Sequence, residues 1–170
     1  GVRITHGNFV ANIRNILSLV ALKASDRFAD YHDLGFVISI PVLFPCLMVG
    51  GALVPAIAQG EQFMPLRNLV ENGITVLITV PSTLARLKKY DPAPDGLEGL
   101  RVVISCGEPM HLDVLEFCLD GLNAAHVYNF YGSTEVASWT FWHECHRTDL
   151  EILPRSVSCR SGVPSQATEL

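Results

Sequence analysis

Three runs of apolar residues, at 74–80, 100–105 and 124–129, recur along the chain with helix-forming stretches between them. A strand that is apolar on both sides has no face to offer water, so it belongs in a sheet covered from above and below. Strands of this kind alternating with helices read as βαβ units, in which each crossover brings the chain back parallel to the strand it left. The expected fold class is therefore α/β: a largely parallel β-sheet with helices on both faces.

The other elements fall around these runs. Residues 8–23 carry Phe9, Ile13, Ile16, Leu17 and Val20 on one helical stripe, with Asn8 as the expected N-cap. Residues 25–33 are polar and read as surface. Residues 36–49 read as a buried helix and 52–54 as a strand. Residues 61–72 read as a helix closed by Gly73, and 81–89 as a short helix with Arg86, Lys88 and Lys89 in its last turn. Residues 91–96 form a turn-rich loop, and 111–119 another helix. Past Glu135 the pattern weakens, with 136–142 a candidate strand and 151–170 extended or turn-like.

Composition raises one question. Of 170 residues, 49% are hydrophobic and 17% charged, against about a quarter charged in ordinary soluble domains. Either a membrane is involved or the chain is part of something larger that buries its faces. Residues 34–59 carry no charge and are long enough to span a bilayer, but Pro41, Pro45, Pro55 and the Gly50-Gly51 pair interrupt them. A helix of about three turns followed by a buried strand is the expectation. With a net charge of −5 and scattered Lys and Arg, the chain is a poor match for nucleic acid or an anionic membrane surface. The five cysteines include no C-x-x-C pair and read as reduced thiols, and the start carries no leader pattern, so the expected location is cytoplasmic.

Two strand ends carry candidate chemistry. Ile104-Ser-Cys-Gly-Glu-Pro109 follows one apolar run, and Val127-Tyr-Asn-Phe-Tyr-Gly-Ser-Thr-Glu135 contains the next. Each has a glycine just past the strand and a glutamate close by. Adjacent strands of a parallel sheet end on the same side, so the two loops can line one crevice, where α/β proteins hold their ligands. Aromatic faces, hydroxyls and a carboxylate able to hold a hard cation suit such a site. A plain turn, with glycine at positive φ and Ser/Thr capping the next element, accounts for each motif taken singly.

Other constellations are weaker. His143-Glu-Cys-His146 places its histidines at i and i+3, not the i and i+4 of the helical zinc motif, and no third ligand is evident; a surface or partly buried turn is the expectation. Cys106 reads as a small buried hydrophobe, His6 and His111 as helix starts, and His126 as a core histidine. No G-x-S-x-G elbow is present.

Five segments in order resemble the central part of the large domain of adenylate-forming (AMP-binding) enzymes: acyl-CoA synthetases, luciferases, peptide-synthetase adenylation domains and D-alanine–carrier protein ligases. Gly1-Val-Arg-Ile-Thr-His-Gly-Asn8 is similar to the end of the family's phosphate-binding loop and its Thr-His-x-Asn helix start. Residues 36–55 resemble the helix and strand that carry the acyl-pocket aromatic. Cys106-Gly-Glu-Pro109 resembles the adenine-contacting segment, and Tyr131-Gly-Ser-Thr-Glu135 the signature Tyr-Gly-x-Thr-Glu. Ser161-Gly-Val-Pro164 resembles the Ile-Gly-x-Pro before the next motif. Asn129 places the chain nearest the peptide-synthetase and carrier-protein-ligase branch.

The resemblance implies that a carboxylic acid and ATP, with Mg²⁺, form an acyl-adenylate whose acyl group passes to a thiol, either the phosphopantetheine of a carrier protein or coenzyme A. It implies catalytic roles for Thr134 (α-phosphate) and Glu135 (Mg²⁺). It implies nucleotide contacts from Gly107, Glu108, Pro109, Asn129, Phe130, Tyr131, Gly132, Ser133 and Thr134. The acyl pocket would draw on Phe36, Val37, Cys106, Phe130, Ser138 and Trp139. Amino-acid-activating members carry Asp where this chain has Val37. A buried apolar residue cannot compensate the substrate's ammonium, so a hydroxy, keto, aryl or fatty acid is expected, unless Asp33 serves instead. The Tyr31–Gly35 stretch also resembles the fatty-acyl branch, with His32 as the aromatic, but its distance to Gly50 is too long and Phe36 is favoured. The start of the phosphate loop, the ribose-binding Asp and the small C-terminal domain with its Lys lie outside residues 1–170. The expectation is a partial adenylation domain that depends on the remaining parts of the enzyme. The alternative is a non-catalytic remnant that binds nucleotide or a partner.

Overall fold

Along the central strands, successive side chains go to opposite layers of the molecule. The computed structural model describes residues 1–56, 65–91, 94–152, 158–160 and 162–164. In β3 (Val76–Thr79), Val76 and Ile78 enter one apolar cluster and Leu77 the other; in β4 (Val102–Cys106), Val102 and Ile104 divide from Val103 in the same way. In β5 (His126–Tyr131), Tyr128 and Phe130 join the first cluster and Val127 the second. That period-2 alternation with both sides buried is why these strands contain no Asp, Glu, Lys or Arg.

Helices cover both faces. α1 (His6–Leu19) and α2 (Ser39–Val49) pack Ile16, Val42 and Cys46 into the first cluster. α3 (Leu66–Glu71), α4 (Pro81–Tyr90) and α5 (Leu112–Glu116) pack Leu69, Leu84, Leu87 and Leu115 into the second. Beyond α5 the chain continues as a π-helical turn, Phe117–Gly121. The cap of α1 is Thr5, whose Oγ1 accepts the Asn8 N–H, and not Asn8 itself.

Among the described residues the sheet has seven strands in the order β2-β1-β3-β4-β5-β6-β7, parallel from β2 through β5. β1 (Arg27–Asp30) overturns the surface reading of residues 25–33. It lies between β2 (Ala52–Pro55) and β3, with Phe28 and Ala29 buried. Its flanking charges misled the reading because they are themselves engaged. Asp26, buried, accepts from Thr75 Oγ1 at 2.8 Å and from Arg101 Nη2 at 2.6 Å, which ties together the starts of β1, β3 and β4.

The expected strand at 136–142 is also displaced. Residues Thr134–Val136 form a 3₁₀ turn, and β6 (Phe141–Cys145) runs antiparallel to β5, with Tyr131 opposite Phe141 and Val127 opposite Cys145. α6 (Arg147–Ile152) begins the segment read as extended, and β7 (Val163–Pro164) pairs with β6. His143 and Cys145 thus belong to a strand and not to a turn. His126 is half-exposed and bonded to Glu144 on β6, not a core residue. Residues 57–64, which include the start of the helix expected at 61–72, lie outside the described residues, as does Ser161. The 34–59 stretch divides into α2 and β2, and no helix among the described residues is long and apolar enough to cross a membrane.

Candidate active site

The order of strands β2-β1-β3 means that the chain turns outward from β1 to β2 and then crosses back to β3. Such a reversal opens a crevice at the carboxyl ends of the strands. The loops leaving β1, β3, β4 and β5 all contribute side chains there, around two cavities.

The first cavity, of about 340 Å³, lies at the ends of β4 and β5. Gly107, Glu108 and Pro109 form one side and Asn129, Phe130, Tyr131 and Gly132 the other, with Ser158 and Cys159 completing the wall. Gly107 has φ of +85°, the left-handed conformation in which a side chain is strained. Glu108 does more than line the cavity. Its carboxylate accepts the Ser82 N–H at 2.9 Å and the Ser82 hydroxyl at 3.0 Å, so it caps the N-terminus of α4. Asn129 donates through Nδ2 to the carbonyls of Cys159 at 3.2 Å and Arg160 at 3.0 Å, and so holds the 158–160 segment against the strand end. Phe130 is buried and stacked on Trp139 at 4.3 Å, while Tyr131 is mostly exposed and offers its ring at the mouth.

The second cavity, of about 250 Å³, is lined by Phe36, Val37 and Ile38 from the loop after β1, Val80 after β3, and Cys106 and Ser138. It shares Gly107, Glu108 and Gly132 with the first. Burial pushes the Cys106 thiol up to about 12, so at neutral pH it is a protonated, uncharged lining group. Asp33 is not in this lining: its Oδ1 accepts the Gly35 N–H at 2.7 Å. His32 is held by the Ile78 carbonyl at 2.8 Å. Trp139 is absent from both linings and lies beneath Phe130, anchored by its carbonyl to Asn12 Nδ2 of α1.

Gly132 is needed for close approach and not for the positive φ of a plain turn. A Cβ there would meet Trp139 Cα at 2.1 Å and the Ser138 carbonyl oxygen at 2.3 Å, so the close approach is by the chain's own backbone. The turn from Ser133 to Trp139 folds back over the strand end through Ala137 and Ser138, both at positive φ. Thr134 and Glu135 stand exposed on that turn, outside the lining of either cavity. The Glu135 carboxylate accepts from the Ser133 hydroxyl and from its own backbone N–H, which hold it below the ordinary carboxylate range. An exposed, ionised carboxylate beside two hydroxyls is a donor set that fits a hard cation such as Mg²⁺. The aromatic-lined first cavity has the size of a small-ligand site.

Ser158, Cys159, Ile38 and Val80 were missed from sequence. Val80 and Ile38 look like ordinary core residues, and Cys159 reaches the cavity through long-range bonds, its carbonyl accepting from Asn129 and its N–H donating to the Met110 carbonyl at 2.7 Å.

Fold and site together define an α/β domain with two adjoining cavities at the carboxyl ends of its parallel strands, one of them beside the strand-order reversal. The chain belongs to the AMP-binding enzyme family of adenylate-forming ligases, whose family model (AMP-binding enzyme) matches residues 1–170. Syringomycin synthase SyrB1 of Pseudomonas syringae pv. syringae is 28% identical over 155 residues, which cover 89% of this chain and 25% of that protein. D-alanine–D-alanyl carrier protein ligase of Listeria welshimeri serovar 6b is 29% identical over 141 residues, 80% of this chain and 27% of that protein. The crystal structure of the Vibrio cholerae adenylation domain AlmE in complex with glycyl-adenosine-5'-phosphate matches with a TM-score of 0.78 at 26% identity, over 84% of this chain and 27% of that one. The chain spans about a quarter of the length of these relatives.

Proposed function

We propose that this chain forms the central part of an adenylation domain that activates a carboxylic acid. An acid oxygen attacks the α-phosphorus of ATP, the bond to the bridging oxygen breaks and pyrophosphate leaves. A thiol then attacks the acyl carbonyl and AMP leaves. The observation that carries this reading is the pair of cavities meeting at Gly107, Glu108 and Gly132, directly before the exposed Thr134–Glu135 turn. One cavity suits an adenine ring and the other a small acyl group, with the reacting atoms at their junction. Phosphoryl chemistry asks the protein chiefly for positioning and charge stabilisation. In this reading Thr134 donates its hydroxyl to the α-phosphate. Glu135, with Ser133 orienting it, would hold the Mg²⁺, which supplies charge neutralisation on the phosphates. Tyr131 stacks on adenine opposite Gly107–Pro109, and Phe36, Val37, Cys106 and Ser138 shape the acyl pocket. The acceptor is a carrier-protein phosphopantetheine or coenzyme A, and the carrier-protein ligase among the relatives supports the former.

ATP–pyrophosphate exchange by the protein that carries this chain tests the reading. Thr134→Val should lower the exchange rate by about 10²-fold, the scale of losing one transition-state donor. Glu135→Gln should lower it at least as much and raise the Mg²⁺ requirement. Exchange at the unsubstituted rate in both variants would refute these roles. AMP binding without any exchange would identify a nucleotide-binding remnant instead.

A further inference from the structure

His143-Glu-Cys-His146 lacked a third ligand in the sequence, and the fold supplies one from elsewhere. His143 and Cys145 are two apart on β6 and so face the same side of the sheet, and Cys159 comes to them from the 158–160 segment. One ligand atom of each residue lies within 4.8 Å of the others, and the two Sγ atoms are 3.2 Å apart. Both thiols are buried and free. His146, the other half of the sequence motif, is not in the group.

The surroundings of the imidazole are also those of a ligand. Its Nε2 is 2.9 Å from Asp149 Oδ2, and the same oxygen accepts the His146 N–H at 2.8 Å. A buried carboxylate, fixed by backbone and bonded to one ring nitrogen, orients the ring, and a metal ligated by this histidine would take the other nitrogen, Nδ1. Two thiolates around a tetrahedral Zn²⁺ stand about 3.8 Å apart, given Zn–S bonds of about 2.3 Å. Opening the present sulfur pair by about half an ångström would admit the ion.

We propose that His143, Cys145 and Cys159 supply three ligands of a tetrahedral site for a thiophilic divalent cation of the Zn²⁺ class, with water in the fourth position and Asp149 as the positioning carboxylate. The two cysteines enter as thiolates, each losing its proton to solvent as the metal–sulfur bond forms. The bound ion clips β6 to the segment that contributes Ser158 and Cys159 to the wall of the first cavity. Asn129 already holds that segment through the Cys159 carbonyl, so the clip would add a second tie to the same wall. The site is independent of the Mg²⁺ position proposed at Glu135, being sulfur-rich and buried where that one is oxygen-rich and exposed.

Cobalt titration of the reduced, metal-free protein that carries this chain tests the site without any activity measurement. The expected result is a thiolate-to-cobalt charge-transfer absorption that saturates at one equivalent for this site and is displaced by Zn²⁺. That absorption should be lost in Cys145→Ser and in Cys159→Ser and retained in Cys46→Ser. Asp149→Asn should weaken cobalt binding by about 10- to 100-fold, the usual loss when a ligand's orienting partner is removed. If the serine variants do not fold, zinc-edge X-ray absorption of the unsubstituted protein decides, with two sulfurs and at least one imidazole nitrogen expected. An absorption that survives both serine substitutions overturns the proposal, as does the absence of any thiolate band. A Cys145–Cys159 disulfide that takes up no cobalt after reduction overturns it too.

Discussion

A methyl group added at position 132 would collide with Trp139 Cα and the Ser138 carbonyl, and neither is the movable end of a side chain. Gly132→Ala must therefore push the 138–139 backbone away from the strand end. That would disturb Phe130, which stacks on Trp139, and Ser138, which lines the second cavity. The expected outcome is destabilisation at or above the usual overpacking cost of about 1–3 kcal/mol, with nucleotide binding weakened together with stability. Urea denaturation and AMP titration of the same variant check it; a variant as stable as the parent would remove the steric reading. The glycine was legible in the sequence, but its reason was not. The sequence could not show the 138–139 segment against Gly132, because that segment comes back through the positive φ of Ala137 and Ser138. The same limit applies to Glu108, legible as a site residue but not as the cap of α4.

At the scale of elements, the strands of the sheet centre were legible because burial on both faces leaves mostly apolar residues and no Asp, Glu, Lys or Arg in them. β1 was not, because it is four residues long with Asp26, Arg27 and Asp30 around two buried side chains, which is the signature of a surface loop. The missing information was the partner of Asp26. Burial alone would raise its carboxyl above the ordinary value of 3.8. The hydrogen bonds from Arg101, Thr75 and the Lys23 N–H, together with the Arg101 charge, outweigh that and hold it below. A folded-state pKa below the unfolded one means that the ionised carboxylate adds stability above pH 3.8, lost as pH falls through the lower folded value. The protein should therefore lose stability progressively on acidification below about pH 4. Asp26→Asn should cost about 1.5–3 kcal/mol at neutral pH by removing the counter-charge of Arg101, which keeps its bond to the Ala21 carbonyl, and should flatten part of that acid dependence. Denaturant midpoints measured from pH 7 down to about pH 3 in both proteins check the pair; parallel curves would show that the bond carries no pH-linked stability.

At the scale of the molecule, the proposed acyl pocket implies that the substrate depends on what the second cavity can neutralise. Its described lining is Phe36, Val37, Ile38, Val80, Cys106, Ser138 and the shared Gly107, Glu108 and Gly132. The single carboxylate among these, Glu108, already accepts two bonds from Ser82, and Asp33 closes its own turn. The Cys106 thiol carries no charge at neutral pH. An α-ammonium placed beside Val37 would lose its hydration and gain no counter-charge, at a cost of several kcal/mol. A hydroxy, keto, aryl or fatty acid meets no such cost in an apolar wall. Pyrophosphate exchange should therefore favour acids without an α-ammonium. Val37→Asp should invert the preference, since it gives an ammonium a partner and opposes the apolar acids with a desolvated carboxylate. A change of about 10²-fold in the ratio of specificity constants corresponds to roughly 2.7 kcal/mol, within reach of one such charge pair. Side-by-side exchange with an amino acid and its α-hydroxy analogue measures that ratio directly. If the unsubstituted protein prefers the amino acid, a carboxylate from outside the described residues faces the ammonium, and Val37 does not set the substrate class.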